Sequence, residues 1–364
     1  MKVNFTTPCR TALAALAFSG GAAHAQSSVT IDGWLDAGIM KKTGGSTQVG
    51  TPSRNNIAFS GVEDLGDGFA ATFRLSTRFE LDTGEVENSD QARPFWKGES
   101  TVGLKGKFGS LRLGRALTPL QDVSYKFDPW GNFERIASLQ WWHFAPDFLS
   151  DPQTREYARL NNGIFYNSPD FGGFSARASF SPEKNDATDR TRSIGGSFNY
   201  DSDTLSLMLG FERNSQNDKA LFVGASYAIG DLTLMGGYNH VKLDPASSIF
   251  GADWTNWAGA SDPKTKRTSV QVGATYALGL HTLRAGFSRD FQGSTNGFNY
   301  IGSTFDKAGT GYSGPSNMAS LGYSYALSKR TSLYANVSTT RWKETDDEGR
   351  RSASGYDLGM THSF

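Results

Sequence analysis

The feature that most constrains this chain is a two-residue alternation of apolar and polar side chains that recurs along its length. In residues 69–81, FAATFRLSTRFEL, apolar side chains occupy one parity, while Arg74, Ser76 and Arg78 occupy the other. The same alternation returns at 29–39, 205–211, 221–227, 270–276, 321–325 and 333–337. Successive side chains of a β-strand point to opposite faces, so this period predicts strands, and helical spacing fits none of the runs.

The connections between these predicted strands alternate between short and long. Seven tight polar or Gly-rich turns each join two strands, at 63–68, 105–110, 168–173, 201–203, 229–231, 278–281 and 328–331. The first run at 29–39 and the last at 354–364 bring the predicted total to sixteen strands. Eight longer connections separate the pairs, at 41–54, 82–98, 116–159, 181–193, 212–219, 241–267, 290–316 and 341–353.

An even number of antiparallel strands, with short turns at one rim and long loops at the other, is typical of bacterial outer-membrane barrels. We therefore predict an all-β fold, a transmembrane antiparallel β-barrel of 16 strands. Closure removes the sheet edges whose unpaired backbone groups lipid would penalise. Aromatic residues precede five of the short turns and predict an interfacial girdle: Phe108, Tyr200, Tyr227, Tyr276 and Tyr325. A soluble β-sandwich, the structural alternative, would not alternate its connections so strictly.

The N-terminus predicts a secretory signal peptide. Two basic residues and the short apolar run 11–18, TALAALAF, precede an A-x-A cleavage site that ends at Ala25. We expect residues 1–25 to be removed and residues 26–364 to form the barrel. Cys9 is the only cysteine, so the mature chain is expected to have no disulfide and to be stabilised by closure of its sheet instead.

Composition and motifs argue against several other classes of function. Basic and acidic residues number 36 each, which gives no support for nucleic-acid binding. The five histidines are scattered, and neither an HExxH motif nor a Gly-x-Ser-x-Gly motif occurs. We expect no enzymatic activity, no metal site and no cofactor.

Six stretches, in order along the chain, resemble the trimeric general porins of Gram-negative outer membranes, most closely the beta-proteobacterial type. They are QSSVTIDGWLDAGI (26–39), SRNNIAFSGVEDLGDGFAATF (53–73), TVGLKGKFGSLRLGRALTP (101–119), NNGIFYNSPDFGGFSA (161–176), ALSKRTSLYANV (326–337) and GMTHSF (359–364). The resemblance implies a homotrimer in the outer membrane, among lipid and lipopolysaccharide. Each subunit would hold a water-filled pore for passive diffusion of ions and small hydrophilic solutes. The terminal Phe364 resembles the signal read by the barrel assembly machinery.

The resemblance also implies that the third long loop folds into the lumen and narrows the pore. That loop, 116–159, is the longest in this chain, and a loop of more than forty residues is unusual unless it is functional. A sixteen-stranded barrel has room inside for such a loop.

Basic side chains are the candidate wall residues of this constriction. Parity directs four of them into the lumen: Arg54, Arg74, Arg78 and Arg112. The resemblance places basic constriction residues at Arg54, Arg74 and Arg159, although the register of Arg159 is ambiguous because Phe165 and Tyr166 are both aromatic. Arg115 shares the parity of Leu113, so strict alternation would point it outward, an expectation that need not hold at a strand end.

The third loop supplies candidate counter-charges: Asp122, Asp128 and Glu134, followed by Asp147 and Asp151. A basic wall facing an acidic loop would set up a transverse field across the narrowest part of the pore. We therefore expect a size filter with a modest charge preference, whose sign depends on which charges reach the narrowest plane. Each acidic residue has a simpler alternative, which is to solvate the loop or to pair within it.

The aromatic content of the loop leaves a second function open. Where enteric porins carry Pro-Glu-Phe-Gly-Gly, this chain has DPWGNF (128–133) and later WWHF (141–144). These rings either pack the loop against the wall or offer a stacking platform for a ring-bearing solute. A solute-specific channel on the same fold is therefore the main alternative. An outer-membrane enzyme and a non-conducting adhesin are weaker ones.

Overall fold

The computed structural model describes residues 28–87, 94–140, 158–182, 191–242, 244, 266–291, 315–343 and 349–364. The first strands are β1 (Ser28–Lys42), the three-residue β2 (Gln48–Gly50), β3 (Asn55–Gly66), β4 (Phe69–Phe79), β5 (Glu99–Gly106) and β6 (Gly109–Leu117). Helix α1 (Pro119–Ser124) and a 3-10 turn (Tyr125–Phe127) follow. Then come β7 (Arg159–Asn167), β8 (Phe174–Phe180), β9 (Ile194–Asp201), β10 (Leu205–Arg213), β11 (Lys219–Ile229) and β12 (Leu232–Lys242). The last are β13 (Lys266–Leu278), β14 (His281–Asp290), β15 (Ser316–Ala326), β16 (Thr331–Trp342) and β17 (Ser352–Ser363).

The sixteen long strands within these ranges form one closed antiparallel sheet. Each pairs with its neighbour in the chain, and β1 pairs with β17 from Trp34↔Ser363 to Lys42↔Gly355. Beyond β17, Phe364 exchanges two backbone hydrogen bonds with Gly33, both 3.2 Å long. The predicted sixteen-stranded barrel is confirmed. No helix in the described ranges is long and apolar enough to cross a membrane.

The seven predicted turns all lie between consecutive long strands. The turn between β3 and β4 shows why its sequence is Gly-Asp-Gly: Gly66, Asp67 and Gly68 have φ angles of 85°, 52° and 80°. Glycine adopts this left-handed backbone without steric cost, and Asp tolerates it better than most residues. Turn chemistry and alternation are both local signals, which is why the sequence predicts the strand boundaries closely.

The two faces of the wall are chemically opposite. Large apolar side chains point outward and are exposed, as Val102 (60%) and Leu321 (61%) illustrate. Polar inward side chains of the same sheet, such as Ser320 and Asn336, are buried. An apolar outer band around a polar interior is the arrangement of a barrel that is surrounded by lipid.

The described first part of the third long loop, residues 118–140, lies against the inner face of this wall. Thr118 caps the short helix α1 by accepting a hydrogen bond from Gln121 N. Side chains of the loop then pack with inward-facing side chains of β10, β11 and β12: Leu120, Val123 and Phe127 with Met208, Ala220, Phe222 and Val241. The described start of the loop and three strands of the wall therefore share one buried apolar cluster.

A row of inward-facing glycines lets the loop approach the wall closely. We call this row the glycine track: Gly210, Gly224, Gly273, Gly286, Gly322 and Gly355. A Cβ added at Gly286 would lie 2.8 Å from Leu139 Cδ1, and one at Gly322 would lie 2.9 Å from Trp130 Nε1. Any larger residue in the track would push the loop away from the wall.

Candidate pore constriction

One side of the inner wall carries a concentration of basic side chains. We call them the basic arc: Arg54, Arg74, Arg78, Lys97, Arg112, Arg115, Arg135, Arg159 and Arg177. Among the described residues, five carboxylates form ion pairs with members of the arc: Asp32, Glu80, Glu87, Glu99 and Asp122. The described part of this side of the barrel thus places nine basic side chains beside five carboxylates that pair with them.

Arg74 and Arg112 are the members of the arc predicted from parity that remain partly open to the lumen. Arg74 on β4 donates two hydrogen bonds to Asp32 on β1, at 3.0 and 2.8 Å. Arg112 on β6 pairs with Glu99 at 2.6 Å and lies 5.7 Å from the ring centre of the inward Phe165. Arg74 is 35% exposed and Arg112 is 24% exposed, so a passing ion can reach both guanidinium groups.

A buried glutamate, Glu87, that sequence reasoning missed connects four members of the basic arc. Four basic side chains surround Glu87 at 3.1–3.8 Å: Arg54, Arg78, Lys97 and Arg135. Burial opposes ionisation of Glu87, but these four charges outweigh it and hold the pKa of Glu87 well below its usual range. Glu87 therefore ties the first three long loops and β4 together. It lies in a loop without periodicity, so nothing local in the sequence marks it.

The structure directs Arg115 inward, contrary to strict alternation. The ladder between β6 and β7 shifts register between Gly114 and Ala116, and Gly114 has a φ of 129°. A β-bulge of this kind re-aims the next side chain. Arg115 is consequently buried and donates to the Lys97 carbonyl at 3.2 Å and to Asn161.

The structure also resolves the register of Arg159. Phe165 is buried inside the wall and Tyr166 is exposed outside it, and Arg159, which lies beyond the register shift of β7, is itself 5% exposed. Its Nε donates to the Gly98 carbonyl at 2.5 Å. Like the side chains of Arg54 and Arg78, that of Arg159 is largely covered.

The acidic residues of the third loop differ in exposure: Asp122 is partly exposed and Asp128 is buried. Asp122 is about a third exposed and pairs with Arg177 on β8, an inward cation that sequence reasoning did not single out. Asp128 is buried and accepts from Trp130 N, Ser138 Oγ and Gln140 N at 2.7–2.8 Å. Burial raises the pKa of Asp128, and these donors only partly offset it. The placement of Asp128 favours a role in shaping the loop.

Glu134 is buried against the seam where the barrel closes. It lies beside Asp357 on β17, and burial together with the charge of Asp357 raises the pKa of Glu134 well above its usual range. Asp36 on β1 completes a group of three, which we call the carboxyl cluster. Alternation along β1 is consistent with the inward direction of the buried Asp36, but its meeting with two acids distant in sequence has no local signal.

Two described aromatic residues of the loop, Phe127 and Trp130, pack against the wall, whereas Tyr125 and Phe133 are 40% and 45% exposed. Trp130 donates from Nε1 to Asn336 at 2.9 Å and lies over the glycine track. Arg284, another inward residue not singled out from the sequence, donates to the Pro129 carbonyl at 3.0 Å. The WWHF segment, Asp147 and Asp151 lie outside the described residues.

Comparison with known proteins finds similarity to bacterial outer-membrane porins. A family model for Gram-negative porins matches residues 12–345. Outer membrane porin protein 32 of Delftia acidovorans is 27% identical, over 97% of this chain and 98% of the relative. The fold is similar to that of an anion-selective porin from Comamonas acidovorans (TM-score 0.71, 24% identity, 93% of this chain and 100% of that chain). It is also similar to the trimer form of OmpT, an outer membrane protein of Vibrio cholerae (TM-score 0.64, 14% identity, 93% and 99% coverage).

Proposed function

The chain belongs to the Gram-negative porin family, and from this premise we propose that its basic arc makes the channel prefer small anions. As a porin it is a passive channel of the outer membrane and not an enzyme. The preference for anions is supported by the excess of cations over ion-paired carboxylates along β3 to β8. Rings of charge at a narrow point select ions by sign.

The nine basic residues contribute to this preference in two ways. Arg74, Arg112 and Arg177 are partly exposed and would meet a permeating ion directly. The other six, Arg54, Arg78, Lys97, Arg115, Arg135 and Arg159, are covered. They would act through the field that they add to the lumen, where low-dielectric walls focus it. The described part of the third loop, carrying Asp122, Asp128 and Glu134, would narrow the pore opposite the arc.

Buried acids strengthen the positive sign of this field. Asp128 is buried inside the loop, where burial raises its pKa, and burial together with the charge of Asp357 raises the pKa of Glu134. The described part of the loop, residues 118–140, would therefore offer less negative charge to the lumen than its sequence suggests. The structurally similar Comamonas protein is described as anion-selective, which agrees with this reading.

The remaining assignments extend the family premise. We infer that residues 1–25 are a signal peptide, that residues 26–364 form the mature barrel, and that the barrel assembles as a homotrimer among lipid and lipopolysaccharide. Phe364 would serve as the signal for the barrel assembly machinery. Phe364 forms two backbone hydrogen bonds with Gly33, where the last strand meets the first. This position fits a residue that pairs last as the barrel closes.

Uptake of paired solutes would test the proposed preference. Mature protein in liposomes should admit a small organic anion faster than a cation of matched size, and a neutral solute at an intermediate rate. Faster entry of the cation would contradict the proposal. Saturable uptake of a single solute would instead support the solute-specific channel.

A further inference from the structure

The outer face of the barrel carries a line of basic side chains at its long-loop rim. We call this line the basic row; it consists of Arg213, Lys219, Lys242 and Lys266, at the long-loop ends of β10, β11, β12 and β13. Each continues the parity of outward side chains on its own strand, as Lys219 does with the exposed Leu221. Because side chains of equal parity share one face of a strand, the row points away from the lumen. Its three lysines are exposed and Arg213 is half-buried.

The register of the barrel sets these cations directly opposite one another. Arg213 lies opposite Lys219, Lys219 opposite Lys242, and Lys242 opposite Lys266. Side chains in such positions have Cβ atoms about 4.5–5.5 Å apart, and like charges there are destabilising. The row therefore sets four positive charges side by side across four strands.

Elsewhere at this rim, described outward cations have neutral partners across the strands. Lys41 on β1 lies opposite Tyr356, and Arg289 on β14 lies opposite Val270 and Asn317. Direct opposition of cations is thus a local property of β10 to β13 in the described part of the barrel.

The described carboxylates near the row do not neutralise it. No member of the row forms an ion pair within the described ranges. The acids nearest in sequence are buried or bonded elsewhere: Glu212 and Asp218 are 7% and 0% exposed, and Asp244 accepts from Asn217 Nδ2 at 2.8 Å. The row is therefore an array of cations that an external anion would stabilise.

The surface next to the row indicates that this anion has an apolar body. Leu209, Val223 and Tyr238 are 41–45% exposed on the same outer face, which is the lipid-facing side of the barrel. At the boundary, His240 Nδ1 lies 2.9 Å from Thr268 Oγ1. Lysine side chains in this position keep their charge at the level of lipid headgroups while their stems cover apolar surface. Headgroup phosphates would thus meet the row while acyl chains cover the apolar band.

We propose that the basic row is a binding site for headgroup phosphates of an anionic lipid, the phosphorylated lipid of lipopolysaccharide, in the leaflet at the long-loop rim. This inference deepens the proposed association with lipopolysaccharide and rests on it. It is independent of the anion preference of the pore, because the row lies outside the lumen. Charge-assisted bonds to phosphate oxygens would offset the repulsion within the row. A headgroup with several phosphates can bridge its members, whereas a zwitterionic headgroup brings a cation of its own.

Lipid binding in neutral detergent tests the site. Mature barrels would be titrated with bisphosphorylated lipid A or with phosphatidylcholine, and bound lipid would be counted by native mass spectrometry. The wild type should bind lipid A much more tightly than phosphatidylcholine, a comparison that needs no variant. In the triple variant Lys219→Gln, Lys242→Gln and Lys266→Gln, lipid A should bind roughly a hundredfold more weakly, since each basic residue near an anionic lipid surface raises affinity about fivefold.

Two further variants separate the charge of the row from other effects. Lys219→Arg, Lys242→Arg and Lys266→Arg together keep the charge and should keep tight binding of lipid A. Lys105→Gln, Lys107→Gln and Lys329→Gln together remove three exposed cations from the short-turn rim. This matched control should bind lipid A like the wild type.

Four results would overturn the proposal. They are equal affinity of the wild type for the two lipids, unchanged lipid A binding in the glutamine triple variant at the row, and an equal loss of binding in the short-turn control. The fourth is displacement of lipid A by excess inorganic phosphate, which would assign the row to a free anion. If the triple variant at the row instead lost its oligomeric state while binding lipid A normally, the row would be a contact between copies of the chain.

The lipid site and the pore can fail separately. In bilayers of phosphatidylcholine, the glutamine triple variant at the row should have the wild-type reversal potential. Weak lipid A binding with a normal reversal potential would remove the lipid site alone. A wild type that binds lipid A but prefers cations would contradict the proposed pore preference alone.

Discussion

Glu87 and Glu134 show how surroundings decide what a buried carboxyl does. Both are almost fully covered, yet four cations keep Glu87 ionised, while Glu134 faces another acid. The cations around Glu87 lower its pKa, whereas burial and the charge of Asp357 raise the pKa of Glu134. The two sites should therefore respond to pH in opposite directions.

Replacing Glu87 with Gln should destabilise the barrel strongly. Four positive charges would lose the anion at their centre, and breaking a buried ion pair in this way typically costs about 3–5 kcal/mol. Heat-induced unfolding, followed by gel mobility, should occur at a markedly lower temperature. Glu63→Gln, a change at an exposed turn, is the control and should leave the unfolding temperature unchanged; equal stability of the two variants would refute the role of Glu87.

The same site predicts how stability depends on acid. The pKa of Glu87 is lowered by its four cations despite burial, so its contribution is present above the usual carboxyl range and is lost only as pH falls through the lowered value. The wild type should stay folded in moderate acid. Glu87→Gln should lose this acid-sensitive component, and a wild type and variant with parallel acid denaturation curves would argue against the assignment.

Asp122 and Asp128 should behave differently although they are neighbours in sequence. Asp122 is partly exposed beside Arg177, so Asp122→Asn should shift the reversal potential toward anions. Asp128 is buried and organises the turn of the loop, so Asp128→Asn should increase current noise with a smaller change in selectivity. Reversal potentials of both variants in one salt gradient decide this, and a larger shift for Asp128→Asn would place its charge at the narrowest plane instead.

At the scale of elements, the third loop is positioned by wall glycines, which have no side chain to keep the loop at a distance. The glycine track provides the space in which Phe127, Trp130 and Leu139 lie. Strict alternation predicts the inward direction of these glycines, but not that a loop covers them. The position of the loop is therefore a property of the wall as much as of the loop.

Gly286→Ala should move the loop toward the axis of the pore. The added methyl group would meet Leu139 at 2.8 Å, and overpacking of this kind typically costs about 1–3 kcal/mol unless neighbours shift. We expect a lower single-channel conductance. Gly196→Ala makes a matched clash with Phe211, at 2.6 Å, on the outer face; it should conduct like the wild type, and equal conductance of both variants would contradict the role of the track.

The elements that the sequence predicted correctly are those with local causes. Sixteen strands and seven turns follow from alternation and from Gly, Asp and Ser at the turns, and the inward direction of Arg74 and Arg112 follows from parity. The bulge at Gly114, which turns Arg115 inward, has no such signal. The contacts of Glu87 and of the carboxyl cluster depend on the positions of loops in the folded barrel, so only the three-dimensional structure reveals them.

At the scale of the whole molecule, the barrel separates its charges around the circumference. The basic arc covers β3 to β8 and the loops above them, whereas the carboxyl cluster lies at the β1–β17 seam beside it. Among the described residues, five carboxylates pair with the nine cations of the arc. The central claim is that this excess gives the pore its preference for anions.

The reversal potential across a bilayer in a salt gradient tests that claim most directly. The wild type should give the sign of an anion-preferring channel. Arg74→Gln with Arg112→Gln should shift it toward cations, because two lumenal charges are removed and Asp32 and Glu99 lose their partners. Lys105→Gln with Lys107→Gln, two exposed changes at the short-turn rim, should leave it near the wild-type value. A wild type of cation-preferring sign, or an unchanged potential in the arginine double variant, would contradict the account.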